Sequence, residues 1–153
     1  AWPAQDALRK IRRADGDVDH YAGERGEERR VRIEYYEGLV QHYAGERDQE
    51  RRVRMVHPNG RTTHYEGGPG QERRVRAVLP DGRVQHFEGE RWQERHVRMV
   101  PPNGRITHYE GGPGQERTVR IDYPDGFVHH FEGERNQERR VRAVYPNGMV
   151  QHF

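Results

Sequence analysis

The stretch from Gln93 to Gly111, QERHVRMVPPNGRITHYEG, contains two extended segments and the turn that joins them. Residues 94–100 and 105–110 alternate in side-chain type and include β-branched residues, which is typical of β-strands. Between them, Pro102 presets φ, Asn103 tolerates the bridge region and Gly104 can take a positive φ. The stretch therefore predicts a β-hairpin closed by a type I turn and a glycine bulge.

The same pattern recurs every 22 residues along the chain. Each copy carries a histidine followed by an aromatic residue: His20-Tyr21, His42-Tyr43, His64-Tyr65, His86-Phe87, His108-Tyr109, His130-Phe131 and His152-Phe153. A fixed period indicates a repeat array, in which each unit is one supersecondary element packed on its neighbours. We therefore predict an all-β fold, an elongated antiparallel meander of about 13 short strands that forms one twisted, curved sheet or hairpin solenoid.

The array is predicted to span residues 16–153, in about six units of 22 residues. A longer period of 44 residues is superimposed on it, because residues 53–96 and 97–140 differ at only ten positions. Neighbouring hairpins are thus not equivalent. Residues 1–15 depart from the pattern and are interpreted as a degenerate N-terminal cap, in which residues 6–11 fit either a short helix or a degraded strand.

The composition favours a thin core and a surface rich in arginine. Hydrophobic residues make up 31% of the chain and charged residues 34%, so a thick closed core cannot be filled. Lys10 is the only lysine among 27 basic residues, which suits bidentate pairing with carboxylates and stacking on aromatic rings. The chain has no cysteine, which excludes disulfides and thiolate metal sites. Nothing in it indicates a cellular compartment.

Alternation along the strands predicts which residues share a face. We expect an inner face with the valines of the Val-Arg pairs, a variable Met/Ala/Ile column and the aromatic column, with the arginines of those pairs outside. The candidate contact surface lies on that inner face and comprises Met55, Tyr65, Phe87, Met99, Tyr109, Ile121 and Phe131. The outer arginines that could bind an anionic lipid or polyanion are Arg54, Arg76, Arg98, Arg120 and Arg142.

Metal binding and catalysis are not expected. Equivalent histidines lie two strands apart, about 10 Å, whereas zinc ligands lie about 2 Å from the ion. The glutamates and arginines are copied in every unit, whereas a catalytic site needs one asymmetric constellation. We therefore predict no catalytic residues, no metal, no cofactor and no enzymatic activity.

Several residues resemble the pattern of MORN repeats. Tyr65-Glu66-Gly67 and Phe87-Glu88-Gly89 match the opening of that unit, and Pro80-Asp81-Gly82 matches its hairpin turn. The similarity covers nearly the whole chain from about residue 16, but Glu-Arg-Arg-Val-Arg or a close variant stands where the family has a Gly-x-Gly pair. The resemblance implies a hairpin solenoid used for scaffolding, dimerisation or attachment to membranes and cytoskeletal structures. A weaker similarity links residues 81–87 to the YD repeats of bacterial shell-forming toxins.

Together these features predict a non-enzymatic scaffold or structural subunit that binds a protein partner or larger assembly along its long surface or open sheet end. Homo-oligomerisation through sheet ends and contact with a membrane surface stay open. The alternative is binding of anionic lipid or a polyanion through the arginine columns. Nucleic acid is disfavoured, because 27 basic and 25 acidic residues leave little net field.

Overall fold

The computed structural model describes residues 9–153. Their fourteen strands form one antiparallel sheet in sequence order, without a helix, which confirms the predicted all-β meander. The strands are β1 (Arg9–Arg12), β2 (Val18–Ala22), β3 (Arg29–Glu34), β4 (Val40–Ala44), β5 (Arg51–Val56), β6 (Thr62–Glu66), β7 (Arg73–Val78), β8 (Val84–Glu88), β9 (Arg95–Val100), β10 (Ile106–Glu110), β11 (Arg117–Asp122), β12 (Val128–Glu132), β13 (Arg139–Val144) and β14 (Val150–His152).

The described residues form one strand more than the roughly 13 expected. The additional strand is β1, which lies in the segment whose sequence fits either a short helix or a degraded strand. It pairs with β2 from Arg9 opposite Tyr21 to Arg12 opposite Val18. Just after β1, the guanidinium of Arg13 donates two hydrogen bonds of 2.6 Å to the buried carboxylate of Asp19. Residues 1–8 lie outside the described residues, so the interpretation of residues 1–15 as a cap stays a prediction.

Each hairpin turn has the geometry that its sequence predicts. The Gly104 amide donates to the carbonyl of Pro101 at 3.1 Å, and Gly104 has a φ of 82°. The side chain of Asn103 accepts a hydrogen bond of 2.9 Å from the Arg105 amide. This is a type I turn with a glycine in the left-handed region, and it fixes the register of the two strands that it joins.

The chain divides into two compact units, one ending at Arg74 and the other spanning Val75–Phe153. Each has a thin core of small or branched side chains. In the first unit Ile33 and Thr63 are buried; in the second, Ala77, Ile121 and Ala143 are buried. A sheet with so little buried volume leaves most of its side chains partly accessible, so the faces of the sheet are where binding must be sought.

Candidate binding surfaces

The strand register separates the repeated columns onto two faces. Thr107 lies opposite Met99 and Ile121 on the neighbouring strands, and His108 lies opposite Arg98 and Arg120. Because successive residues of a strand point to opposite faces, the Met/Ile/Ala column and the arginines of the Val-Arg pairs are on different sides. We call the side of Tyr109 and Met99 the aromatic face, and the side of His108 and Arg98 the arginine-histidine face.

The valine column lies on the arginine-histidine face, so its predicted placement with the aromatic column was wrong. The pairing of β10 with β11 shifts between His108 and Tyr109, with Arg120 opposite His108 and Thr118 opposite Tyr109. Val119 is the extra residue of a β-bulge, which sets it beside Arg120. Val119 and Val141 line one open cleft whose lining also includes His130 and Arg142 from this face and Phe131 and Phe153 from the aromatic column.

On the aromatic face, the rings stack on side chains of the following strands. The His96 ring lies between Phe87 and Tyr109, with centroid distances of 5.5 and 4.5 Å. In the first unit the equivalent position is Arg52, whose guanidinium lies 4.2 Å from the centroid of the Tyr65 ring. Such stacks stabilise the face through aromatic and cation–π contacts and cover part of each ring.

The candidate contact residues are therefore partly covered rather than fully presented. Ile121 is buried, with 8% of its surface exposed, and belongs to the core. The other six are half-buried: Met55, Tyr65, Phe87, Met99, Tyr109 and Phe131. The Tyr65 hydroxyl also approaches the Met55 sulfur at 4.0 Å, which ties the aromatic and methionine columns together.

The candidate polyanion-binding arginines are all exposed on the other face: Arg54, Arg76, Arg98, Arg120 and Arg142. They differ in their partners. Arg120 donates to Asp122 at 2.6 Å, whereas the other four form no ion pair within residues 9–153. The flanking histidines lie among positive charges: burial, together with Arg98 and Arg76, lowers the pKa of His86.

Glutamates after the aromatic column pair with arginines across the strands. Glu66 lies 3.7 Å from Arg73, and Glu88 lies 3.5 Å from Arg95. Both glutamates are largely exposed, so each pair contributes little to stability. These pairs do, however, neutralise the charges of Arg73 and Arg95 near the loops. The arginines of the Val-Arg pairs, apart from Arg32 and Arg120, keep their positive charge without a carboxylate partner in the described part of the chain.

Trp92 is a further exposed residue, in the loop between β8 and β9. It has a φ of 67° and is 73% exposed, and the Arg91 guanidinium lies 4.7 Å from its ring centroid. Gly70 and Gly114 occupy the equivalent loop position in neighbouring repeats, with φ of 75° and 74°. The positive φ at this position is favourable for glycine and unfavourable for a bulky residue, so the backbone of Trp92 is strained.

The part of the chain that the structure describes contains no group of three or more His, Cys, Asp or Glu side chains placed to hold a metal ion. Within residues 9–153, no helix is long and apolar enough to cross a membrane.

No family model matches this chain, and no curated protein matches it in sequence. The function must therefore be inferred from the two faces themselves.

Proposed function

We propose that this protein is a non-enzymatic repeat scaffold that holds a protein partner along the aromatic face of its sheet. The observation that carries the proposal is the recurrence of half-exposed aromatic side chains at the same register position. In the second unit these are Phe87, Tyr109 and Phe131, spaced two strands apart, or about 10 Å. A partner that contacts one repeat is thereby offered the same contact in the next, which raises the total affinity.

Met99 adds an adaptable apolar contact to this face. It lies opposite both Gln85 and Thr107, which supply hydrogen-bonding groups on either side of it. Methionine adjusts its shape to different partners, and aromatic side chains supply most of the energy at protein interfaces. The repeated hairpins also agree with the resemblance to MORN repeats, and membership of that family is kept as part of the proposal.

Trp92 supports a partner-binding role independently. A bulky residue at positive φ costs about 1–3 kcal/mol and persists where other constraints hold it, often at functional sites. Tryptophan is also the residue most enriched among interface hot spots. We therefore include Trp92 as an anchor at the loop edge.

Site-specific photo-crosslinking tests the scaffold proposal. A photoreactive residue at Gln85 or Thr107, both on the aromatic face, should capture the same partner segment from an extract of the native source. Placed at Val100, on the arginine-histidine face, it should capture none. Capture should persist in high salt, because it depends on apolar contact rather than on counterion release. Capture only from position 100, or none from any position, would refute the proposal.

The arginine-histidine face supports a second candidate function, the binding of an anionic ligand. The observation that favours it is the row of exposed arginines without carboxylate partners, which includes Arg76 and Arg98 in the second unit. Its signature is a steep loss of binding as salt is added.

A further inference from the structure

Three basic side chains on adjacent strands meet on the arginine-histidine face of the second unit. His86 on β8 lies opposite Arg76 on β7 and opposite Arg98 on β9. Directly opposed residues of antiparallel strands have Cα atoms about 4.5–5.5 Å apart, so the three side chains project from neighbouring positions. Both arginines are exposed and His86 is half-buried.

The next repeat has the same basic residues and fills the space beside them with its own carboxylate. There His108 lies between Arg98 and Arg120. The carboxylate of Asp122 accepts a hydrogen bond of 2.6 Å from Arg120 Nε and one of 2.8 Å involving His108 Nε2. One carboxylate thus bridges the arginine and the histidine.

The first unit contains the same bridge. Glu34 Oε1 lies 3.0 Å from His20 Nε2 and 3.1 Å from Arg32. Glu34 and Asp122 stand at the same repeat position, four periods of 22 residues apart. The arrangement of arginine and histidine therefore binds a carboxylate wherever the chain provides one.

At Arg76, His86 and Arg98 the chain provides none. Valine stands at the bridging position on both sides, as Val78 and Val100. Neither arginine forms an ion pair within the described residues. Two exposed guanidinium groups and an imidazole are thus arranged for an anion that must come from outside the chain.

We propose that Arg76, His86 and Arg98 form a binding site for a phosphate group, which takes the place that the carboxylates of Glu34 and Asp122 occupy in their own repeats. This rests on the second candidate function above and names its ligand class. A phosphate group carries a charge of about −1.5 to −2 near pH 7, which matches two guanidinium groups better than one carboxylate does. Its oxygens also fit the forked donors of arginine.

The charges around His86 provide a readout for this site. The charged groups that face it are Arg76 from β7 and Arg98 from β9. Burial and these two charges lower the pKa of His86, with a smaller contribution from His96 on the other face. A bound phosphate adds negative charge beside the imidazole and therefore raises that pKa. His108 is an internal control, because Asp122 already occupies its bridging position.

Nuclear magnetic resonance of the histidine rings in the full chain tests the proposal. Titration with inorganic phosphate should raise the pKa of His86 and leave the ring resonances of His108 nearly unperturbed. Inorganic polyphosphate provides a second arm: if only the polymer gives the His86 response, the source of the phosphate group is a polymer rather than the free anion. No response of His86 to either probe, or equal responses of His86 and His108, would overturn the site.

Two variants exchange the bridging residue between repeats. Val100→Asp places a carboxylate where Asp122 already shows that one is accommodated, so it should fold and weaken phosphate binding by at least about tenfold. Asp122→Val should make His108 respond to phosphate as His86 does. Unchanged binding in Val100→Asp refutes the site. Crosslinking from Gln85 in the same variant reports separately on the scaffold proposal, since position 85 lies on the other face.

Discussion

The Oε2 atom of Glu116 accepts a hydrogen bond of 2.9 Å from the backbone amide of His96, twenty residues earlier in the chain. The ladder between β9 and β10 ends at the pair of Arg98 and His108, so the His96 amide has no strand partner there. The same 2.9 Å bond links Glu50 to Arg30, Glu72 to Arg52 and Glu138 to Thr118. This glutamate column thus satisfies backbone donors that the sheet leaves unpaired.

Removal of this acceptor should destabilise the protein. We expect Glu116→Ala to lower the free energy of unfolding by about 1–2 kcal/mol, because it leaves a partly buried amide without a partner. Glu110→Ala is the matched control. The carboxylate of Glu110 makes only an exposed contact of 3.8 Å with Arg117, so its loss should change stability by less than about 0.5 kcal/mol. Urea unfolding compares the two, and equal effects would contradict the assigned role of the column.

Stability should fall on acidification in two stages. Burial and the nearby arginines lower the pKa of His42 and His86 in the folded protein. Below about pH 6.5 the unfolded chain therefore binds protons at these histidines that the folded chain does not, and the free energy of unfolding falls. Burial opposes a low pKa at Glu50 and Glu116, but hydrogen bonds from backbone amides outweigh it and lower both pKa values. That contribution is present above about pH 4.3, the unfolded pKa of glutamate, and is lost as the pH falls through the folded pKa.

Urea unfolding at a series of pH values checks this dependence. Replacing Glu50 and Glu116 by glutamine should reduce the lower stage and leave the upper one in place. A free energy of unfolding that increases from pH 7 to pH 5 would show that the histidines gain, rather than lose, basicity on folding.

The period and turns of this fold could be predicted from sequence because proline, asparagine and glycine act locally. A turn such as 101–105 needs only its own residues to specify φ, and the strands between turns then follow. The side of the valine column could not be predicted in this way. A bulge adds a residue opposite His108, and alternation counted along one strand does not register that extra residue.

The candidate site was predictable in its residue types and not in its pairing. From Arg54 onward, the arginines of the Val-Arg pairs are exposed on the face opposite the aromatic column. Arg98 and Arg120 each lie opposite a histidine, and they differ in the residue two positions later, which is Val100 or Asp122. That three-residue relationship depends on the cross-strand register. The repetition of glutamate before each Arg-x-Val-Arg segment was a signal for the amide-binding column, although ion pairing with arginine was expected instead.

The glycine two positions after each residue of the aromatic column should be intolerant of any side chain. At Gly89, φ is 115° and an added Cβ atom would lie 2.6 Å from the carbonyl oxygen of Gln93. We expect Gly89→Ala to lower the free energy of unfolding by more than about 2 kcal/mol. Gly112 is the control, because a Cβ there meets nothing within 4 Å, so Gly112→Ala should be nearly neutral. Thermal unfolding of both variants checks the pair, and similar melting temperatures would argue against the loop geometry.

Trp92 should lower stability while serving binding. Asparagine tolerates a positive φ better than tryptophan does, and Asn136 has a φ of 66° in the equivalent loop. We expect Trp92→Asn to raise the free energy of unfolding by about 0.5–1 kcal/mol, after loss of the exposed cation–π contact with Arg91. The converse change, Asn136→Trp beside Arg135, should lower it by a similar amount. Chemical unfolding measures both, and partner capture from position 85 should weaken in Trp92→Asn alone. If Trp92→Asn is more stable and captures the partner as well as the original protein does, Trp92 is not part of the proposed interface.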